Sequence, residues 1–340
     1  MTTIALFSDL HVWEDNAELT LGIARAVRDE ARAEGITTIG FLGDWWAQAA
    51  AVPTWLLNAC RDMFQEQPDV RWILLPGNHD QYRSDGRNAL EALGDLPNVS
   101  VYAEPTVDGW GLWVPYRRDF AQVKRAFHGP YHPGAGGPHA GGAFTGVAYW
   151  HGAMRGALMN DRRAADDGID PEELQAWRAV LMGHFHKRQE WRLTSGGLAQ
   201  YIGSPWQTRR DEGGQPKGWA RWDGMRLEFR NRVWGPQYGV VRADDAEALS
   251  RALATPDYRV TITVPKGTDL KQLQTQVAQR VAAGVQVSYR PEVESTEMVS
   301  RPDMGQDVRA HAERYAAERG PTQGLDPVRL MEAYDVVTGA

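Results

Sequence analysis

Short apolar, β-rich runs alternate with helix-length amphipathic stretches over roughly the first 235 residues. Ile4 to Ser8, Thr38 to Leu42, Arg71 to Leu75, Gly146 to Trp150 and Val180 to Met182 read as strands. Between the first two, Leu19, Ile23, Ala26, Val27 and Ala31 share a helical face and Gly35 supplies the stop. A second helix is expected from about Pro53, with Leu56, Leu57, Cys60, Met63 and Phe64 turned inward, which makes Cys60 a core residue. Such alternation predicts an α/β (α+β layered) domain. Each strand also runs directly into polar residues: Asp9 after the first, Gly43-Asp44 after the second, Pro76-Gly77-Asn78-His79 after the third, His151 after the fourth and Gly183-His184 after the fifth. Open α/β sheets place their sites at the carboxyl ends of strands.

The pattern changes after Trp234-Gly235-Pro236. Tyr258 to Val264 alternates as a strand, Leu270, Leu273, Val277 and Val281 follow on one helical face, Gly284 ends that helix, and Val285 to Tyr289 reads as another strand. This βαβ-like unit is expected to be a separate small domain over 236–300, after a main domain of 1–235. The tail, 301–340, offers two short helices, Asp307 to Glu318 and Asp326 to about Val337, whose apolar residues need a partner surface. Gly129 to Gly142 reads as a Gly- and Pro-rich loop; His128, His132 and His139 are more simply loop residues than metal or substrate contacts.

Composition narrows the chemistry. Cys60 is the only cysteine among 340 residues, so an intramolecular disulfide and a thiolate metal cluster are both excluded, and any metal must be held by oxygen and imidazole nitrogen. A net charge of −7 disfavours a chain that coats nucleic acid indiscriminately. It leaves room for local phosphate contacts at Arg117-Arg118, Lys124-Arg125, Lys187-Arg188 and Arg209-Arg210, each of which is more simply a solvated pair. No apolar run approaches the roughly 18 residues of a membrane span and no basic leader precedes Ile4, so a cytoplasmic protein without a membrane contact is expected.

Taken singly, Asp9-x-His11 or any one imidazole is a chance event or a buried structural group. Together, Asp9-x-His11, Gly43-Asp44, Gly77-Asn78-His79-Asp80, His151 and Gly183-His184-x-His186 occur in one order, each at the end of an expected strand. Gly43, Gly77 and Gly183 would let the chain turn sharply where a strand presents its ligand. The set resembles the calcineurin-like metallophosphoesterase superfamily, whose motifs run D-x-H, G-D, G-N-H-[D/E], H and G-H-x-H. That resemblance implies a β-sandwich flanked by helices and two divalent metal ions, manganese first, with iron or zinc as alternatives. One ion would be held by Asp9, His11 and His186 and the other by Asn78, His151 and His184, with Asp44 between them. It also implies that His79 protonates or stabilises the leaving oxygen, and Asp80 would orient the His79 ring.

Farther along, Tyr201-Ile202-Gly203-Ser204-Pro205-Trp206-Gln207, with Glu212 and Lys217-Gly218 following, resembles SbcD-type DNA repair nucleases and their phage counterparts. By that resemblance 236–300 becomes an α/β capping domain, 301–340 a docking tail, DNA the substrate, and a homodimer with an SbcC-like coiled-coil ATPase the assembly. The group commonly carries a histidine three residues beyond the bridging aspartate, where this chain has Ala47. Trp45 and Trp46 could stack an unpaired base in its place, although core packing of at least one is the simpler expectation. Two other readings stay open: a phosphodiesterase or phosphatase acting on nucleotides or small phosphoesters, and a metal-stabilised docking scaffold without catalysis.

Overall fold

The computed structural model describes residues 3–83, 86–130, 132–133, 146–160 and 163–292. Met1–Arg290 forms one compact unit; the expected tail helices and His139 lie outside the described residues.

Two six-stranded sheets make the body of this unit. Across the first, the strands run Leu227–Asn231, Gly218–Trp222, Ile4–Phe7, Thr38–Phe41, Arg71–Leu74 and Val99–Val101. The last four are mutually parallel and the first two are antiparallel additions at one edge. The second sheet runs Gln189–Arg192, Leu198–Tyr201, Ala179–Gly183, Val147–His151, Leu112–Val114 and Thr106–Val107, again with a parallel centre and antiparallel edges.

Why the central strands are apolar at consecutive positions follows from their burial on both faces. Ile4 and Leu6 point into a layer shared with Val147, Tyr149, Ala179 and Leu181 of the other sheet, so this layer lies between the sheets. Their neighbours Ala5 and Phe7 point the other way, onto the helices Ala17–Ala33 and Thr54–Gln65. In the second sheet Ala148, Trp150, Val180 and Met182 face outward onto the Phe120–His128 helix and its surroundings. The result is a β-sandwich with helices on its outer faces, the α/β layering expected from the alternation of elements in the sandwich form that the resemblance implies. Trp113 is the central inter-sheet residue: it stacks on Tyr149 with centroids 4.1 Å apart. Gly40 lies under it, where a Cβ would come within 2.9 Å of the indole.

The first helix departs from the expected face in one respect. Arg28 is buried while Leu19 and Ala26 are only half-buried. The guanidinium tolerates that position because it bonds Asp29, Glu66 and the Met63 carbonyl at 2.8, 2.8 and 3.2 Å.

Residues 237–291 form a three-stranded sheet, ordered Gln237–Arg242, Tyr258–Val264, Gln286–Pro291, with helices Ala246–Ala254 and Leu270–Ala278 and their own apolar cluster around Leu253, Val260, Ile262 and Val277. Its first strand escapes the sequence pattern because Tyr238 alone is buried in it and Val240 is 55% exposed; its first helix, which buries Leu249, Ala252 and Leu253, was likewise not expected from the sequence.

Removing the Trp113 indole by Trp113→Ala should cost about 3–5 kcal/mol, the usual range for an aromatic deleted from a packed core. Urea denaturation of the variant against the parent measures it; a loss under about 1 kcal/mol would mean that the inter-sheet layer collapses onto the gap.

Candidate metal centre

All five ligand-bearing loops leave their strands at one end of the sandwich. The loop carrying Asp9 and His11 zips against the loop carrying Asp44, through Asp9 N–H to Gly43 O, His11 N–H to Asp44 O and Val12 N–H to Trp45 O at 2.9, 3.1 and 2.6 Å. Three glycines then let neighbouring loops close in. A Cβ on Gly43 would stand 2.1 Å from His151 Nδ1, one on Gly77 2.2 Å from Asp44 Oδ1, and one on Gly183 2.1 Å from the Leu42 carbonyl oxygen. Gly43 also needs its left-handed backbone, at φ 94°. For Gly77 and Gly183 the reason is lack of room rather than the sharp turn expected from sequence.

Backbone strain is concentrated in the same place. Among the described residues, the non-glycine residues with positive φ are Asp9, His11, Asp44, His184 and Asp257, at 56°, 54°, 61°, 105° and 54°. All but Asp257 belong to the ligand constellation. Such conformations cost on the order of 1–3 kcal/mol each and persist where surrounding structure enforces them, commonly at functional sites.

Asp80 supplies much of that enforcement. Its carboxylate is fully buried and accepts from the backbone N–H groups of Asp44, Gly77 and Trp46, each at 2.8 Å, and from Trp45 at 3.3 Å. The expectation that Asp80 orients the His79 ring is therefore corrected: its oxygens are taken up by main-chain donors. His79 Nδ1 lies instead 2.8 Å from the carbonyl oxygen of Ala47, so the residue standing where a histidine was expected acts through its backbone. Burial, then the charge of Asp44, pushes the Asp80 carboxyl up to about 6.

The side chains meet in three overlapping groups, Asp9 with His11 and His186, His11 with Asp44 and His79, and Asp44 with His151 and His184. His11 Nε2 and His186 Nε2 are 3.0 Å apart, and Asn78 Oδ1 is 2.8 Å from His184 Nδ1 and 3.2 Å from His151 Nε2. Asp44 spans the two halves, with Oδ2 4.0 Å from His11 Nε2 and 3.5 Å from His151 Nε2. His151 donates Nδ1–H to the Leu42 carbonyl at 2.6 Å, which leaves its Nε2 facing Asn78 Oδ1 and Asp44. Convergent oxygens and imidazole nitrogens are a donor set that suits a pair of divalent cations.

The electrostatics agree. Burial holds His11 and His184 down to about 3, so both rings are neutral at physiological pH. Burial also opposes charge on His151, but the Asp44 carboxylate beside it outweighs that and carries it up to about 9. Asp44 in turn is held well below the usual carboxylate range despite its burial, chiefly by His151. Asp9 is pushed up by burial.

Around these groups lies an open cleft lined by Asp44, Asn78, His79, His184 and His186 together with Met159, Phe185 and Arg209. Arg209 therefore reaches the site, whereas Arg210 lines a neighbouring groove with Arg209, Tyr238 and Arg259. Both arginines are exposed. Of the other basic pairs, Arg117 is bound to Glu104 and Lys124 to Glu173, and Arg188 is largely buried over the Phe229 ring. Trp45 and Trp46 are not available to a base. Both are 0% exposed, and Trp45 packs among Phe41, Phe64 and Trp72. His128 pairs with Glu173 at 2.6 Å and takes no part in these groups. Met159, Phe185 and the carboxylate of Glu212, 2.7 Å from His186 Nδ1, were not singled out as site residues from sequence. Only Glu212 carried a signal, as part of the stretch that follows the last histidine motif.

In the metal-free protein, ¹⁵N NMR should find His151 titrating at about 9 while His11 and His184 remain neutral down to about 3. A group with a raised folded-state pKa stabilises most below its unfolded value, near 6.5 for histidine. That contribution should fade as pH climbs through 9. His151 titrating at or below 6.5 would contradict the Asp44–His151 pairing.

Residues 2–188 match the family described as calcineurin-like phosphoesterase. Exonuclease subunit 1 of Enterobacteria phage T4 is 25% identical over 223 residues, a stretch that covers 63% of this chain and 61% of that protein's length. Among solved structures, a dimetal phosphatase from Danio rerio overlays at a TM-score of 0.38 with 10% identity, covering 65% of this chain and 91% of that one. Nuclease MPE of Pseudomonas putida overlays at 0.30 with 18% identity, covering 66% and 86%. The family match takes in every strand that ends in the cluster, and the chain belongs to the calcineurin-like phosphoesterase family.

Proposed function

We propose that this chain is a metal-dependent phosphodiester hydrolase acting on DNA, a nuclease subunit of the SbcD type. The observation that carries the hydrolase reading is the convergence of Asp9, His11, Asp44, Asn78, His151, His184 and His186 at the ends of the sandwich strands, with Asp9, His11, Asp44 and His184 on strained backbone. In this reading Asp9, His11 and His186 hold one cation, Asn78, His151 and His184 the other, and Asp44 lies between. Manganese suits the mixed carboxylate and imidazole donors, as do iron and zinc. When bound, two such ions would neutralise phosphate charge and acidify a water.

The chain's own residues then do the rest. Ala47 fixes the His79 ring through Nδ1 and leaves Nε2 free at the edge of the cluster. In its protonated form His79 can hand that Nε2 proton to a departing oxygen. Arg209, exposed on the cleft wall, is placed to meet a phosphate. Phe185 and Met159 add apolar side chains to the same lining.

DNA as substrate is supported by the likeness to Exonuclease subunit 1 of phage T4 and by the Tyr201 to Gln207 stretch with Glu212 and Lys217 behind it. We further propose that 236–300 serves as the capping domain. The chain would act as a homodimer, with an SbcC-like ATPase docking on 301–340. Ala47 distinguishes this chain from its group, with a main-chain acceptor in place of a second imidazole near the leaving group.

Purified protein with Mn²⁺ should cleave linear duplex DNA, and Asp44→Ala should abolish the cleavage. Turnover of cyclic nucleotides or an aryl phosphate without any DNA cleavage would overturn the nuclease assignment. His79→Ala should keep two bound ions while slowing turnover by about 100-fold or more, as expected for a general acid. Parallel loss of metal and activity would instead make His79 a ligand.

A further inference from the structure

Beside the metal cluster, at the edge of the cleft that Glu212 helps to line, two oppositely charged side chains are buried where an apolar pair would pack. Glu212 and Lys217 are each 4% exposed, and Lys217 Nζ is 2.8 Å from Glu212 Oε2. A buried ion pair rarely stabilises a fold more than hydrophobic residues of the same volume, so stability alone does not explain it. Both residues also lie beyond 188, outside the segment that matches the family.

Both reach His186, Glu212 at its ring and Lys217 at its main chain. Glu212 Oε1 is 2.7 Å from His186 Nδ1, and the Thr208 hydroxyl oxygen is 2.9 Å from the same nitrogen. Thr208 steadies the same carboxylate, donating its backbone N–H to Oε2 at 3.0 Å and its hydroxyl to Oε1 at 2.6 Å. Lys217 divides its ammonium hydrogens among Glu212, the Ser204 hydroxyl at 2.7 Å and the backbone carbonyl of His186 at 2.9 Å. A lysine ammonium has three donors, and all are used. The main chain and the ring of His186 are thus tied to a single anchor.

We propose that Glu212, held by Lys217, is the positioning residue for His186 and makes the two halves of the metal centre unequal; this rests on reading the cluster as a binuclear metal site. The carboxylate fixes the proton on Nδ1, leaving the Nε2 lone pair aimed at the point it shares with His11 Nε2, 3.0 Å away. A carboxylate behind an imidazole also raises its basicity as a ligand. In the other half the matching contact is neutral: His151 Nδ1 is backed by the main-chain carbonyl of Leu42 rather than by a carboxylate. One divalent cation should consequently be held more tightly, at Asp9, His11 and His186. Glu212 stays ionised for the task, since its bonds to His186 and Lys217 outweigh the cost of burial.

The test uses the full-length protein, stripped with a chelator and titrated with Co²⁺ by calorimetry and visible absorption. The parent should bind two ions. His186→Ala and His184→Ala identify which binding step belongs to which half. Glu212→Gln should weaken the His186 step by a factor of about 10 to 100 and leave the His184 step in place, the usual effect of removing a group that orients a ligand. The double variant Glu212→Gln with Lys217→Met removes both buried charges, so it remains informative if the single change misfolds, and it should show the same one-sided loss. In metal-free protein, ¹⁵N NMR should find the His186 proton on Nδ1 in the parent and shared between the two nitrogens in Glu212→Gln. Variants that bind both ions as the parent does, or lose both steps in parallel, would overturn the inference while leaving the metal-centre reading intact. A parent protein that binds no Co²⁺ would overturn both.

Discussion

The carboxylate of Asp80 is the contact on which the rest of the site depends. It contributes no surface to the cleft and touches none of the imidazoles, yet it gathers main-chain N–H groups from the loops after the second and third strands into one small volume. Taking a carboxylate out of water costs several kcal/mol, and hydrogen bonds to a charged acceptor return about 1.5–3 kcal/mol each. Three short main-chain bonds and one longer one are enough to hold it ionised at neutral pH, with its carboxyl near 6. From that point the geometry propagates. Asp44 is fixed in a left-handed conformation, its own carboxylate accepts the His79 N–H at 2.8 Å, and the partner loop with Asp9 and His11 is zipped alongside.

The sandwich makes this arrangement possible because both sheets are parallel at their centres and deliver their loops to the same end. Strands buried on both faces supply rigidity, with aromatic layers on either side of each sheet. Strained loops can then be borne by a core that does not yield. The distribution of roles follows from this division: side chains along the strands hold the fold, and side chains at or a few positions past their ends form the cluster.

That division also explains what could be read from the chain alone. The apolar runs marked the five strands that end in the cluster to within a residue or two, and the polar residues beyond each run marked the cluster, because both signals are local; the remaining strands of the two sheets, among them Leu112–Val114, Leu198–Tyr201 and Gly218–Trp222, were not expected from the sequence. Contacts made across space were not legible. Asp80 sits next to His79 in sequence, but its direction is decided by main-chain donors at Asp44 and Trp46, on another loop. Trp45 and Trp46 follow Asp44 and would suit a stacking role, yet their loop turns them into the core. Gly77 and Gly183 looked like turn residues, and only the approach of Asp44 and Leu42 shows that they are there for want of space. The first strand of the small sheet was missed because it is half-exposed, so periodicity had little to record.

The central claim is that seven side chains hold two cations on either side of Asp44. The most direct measurement is anomalous diffraction from crystals of the full-length protein soaked in Mn²⁺. Two peaks are expected roughly 4 Å apart, as in two-metal sites generally, one within reach of Asp9, His11 and His186 and the other within reach of Asn78, His151 and His184. A single peak, or peaks that leave Asp44 uncoordinated, would contradict it.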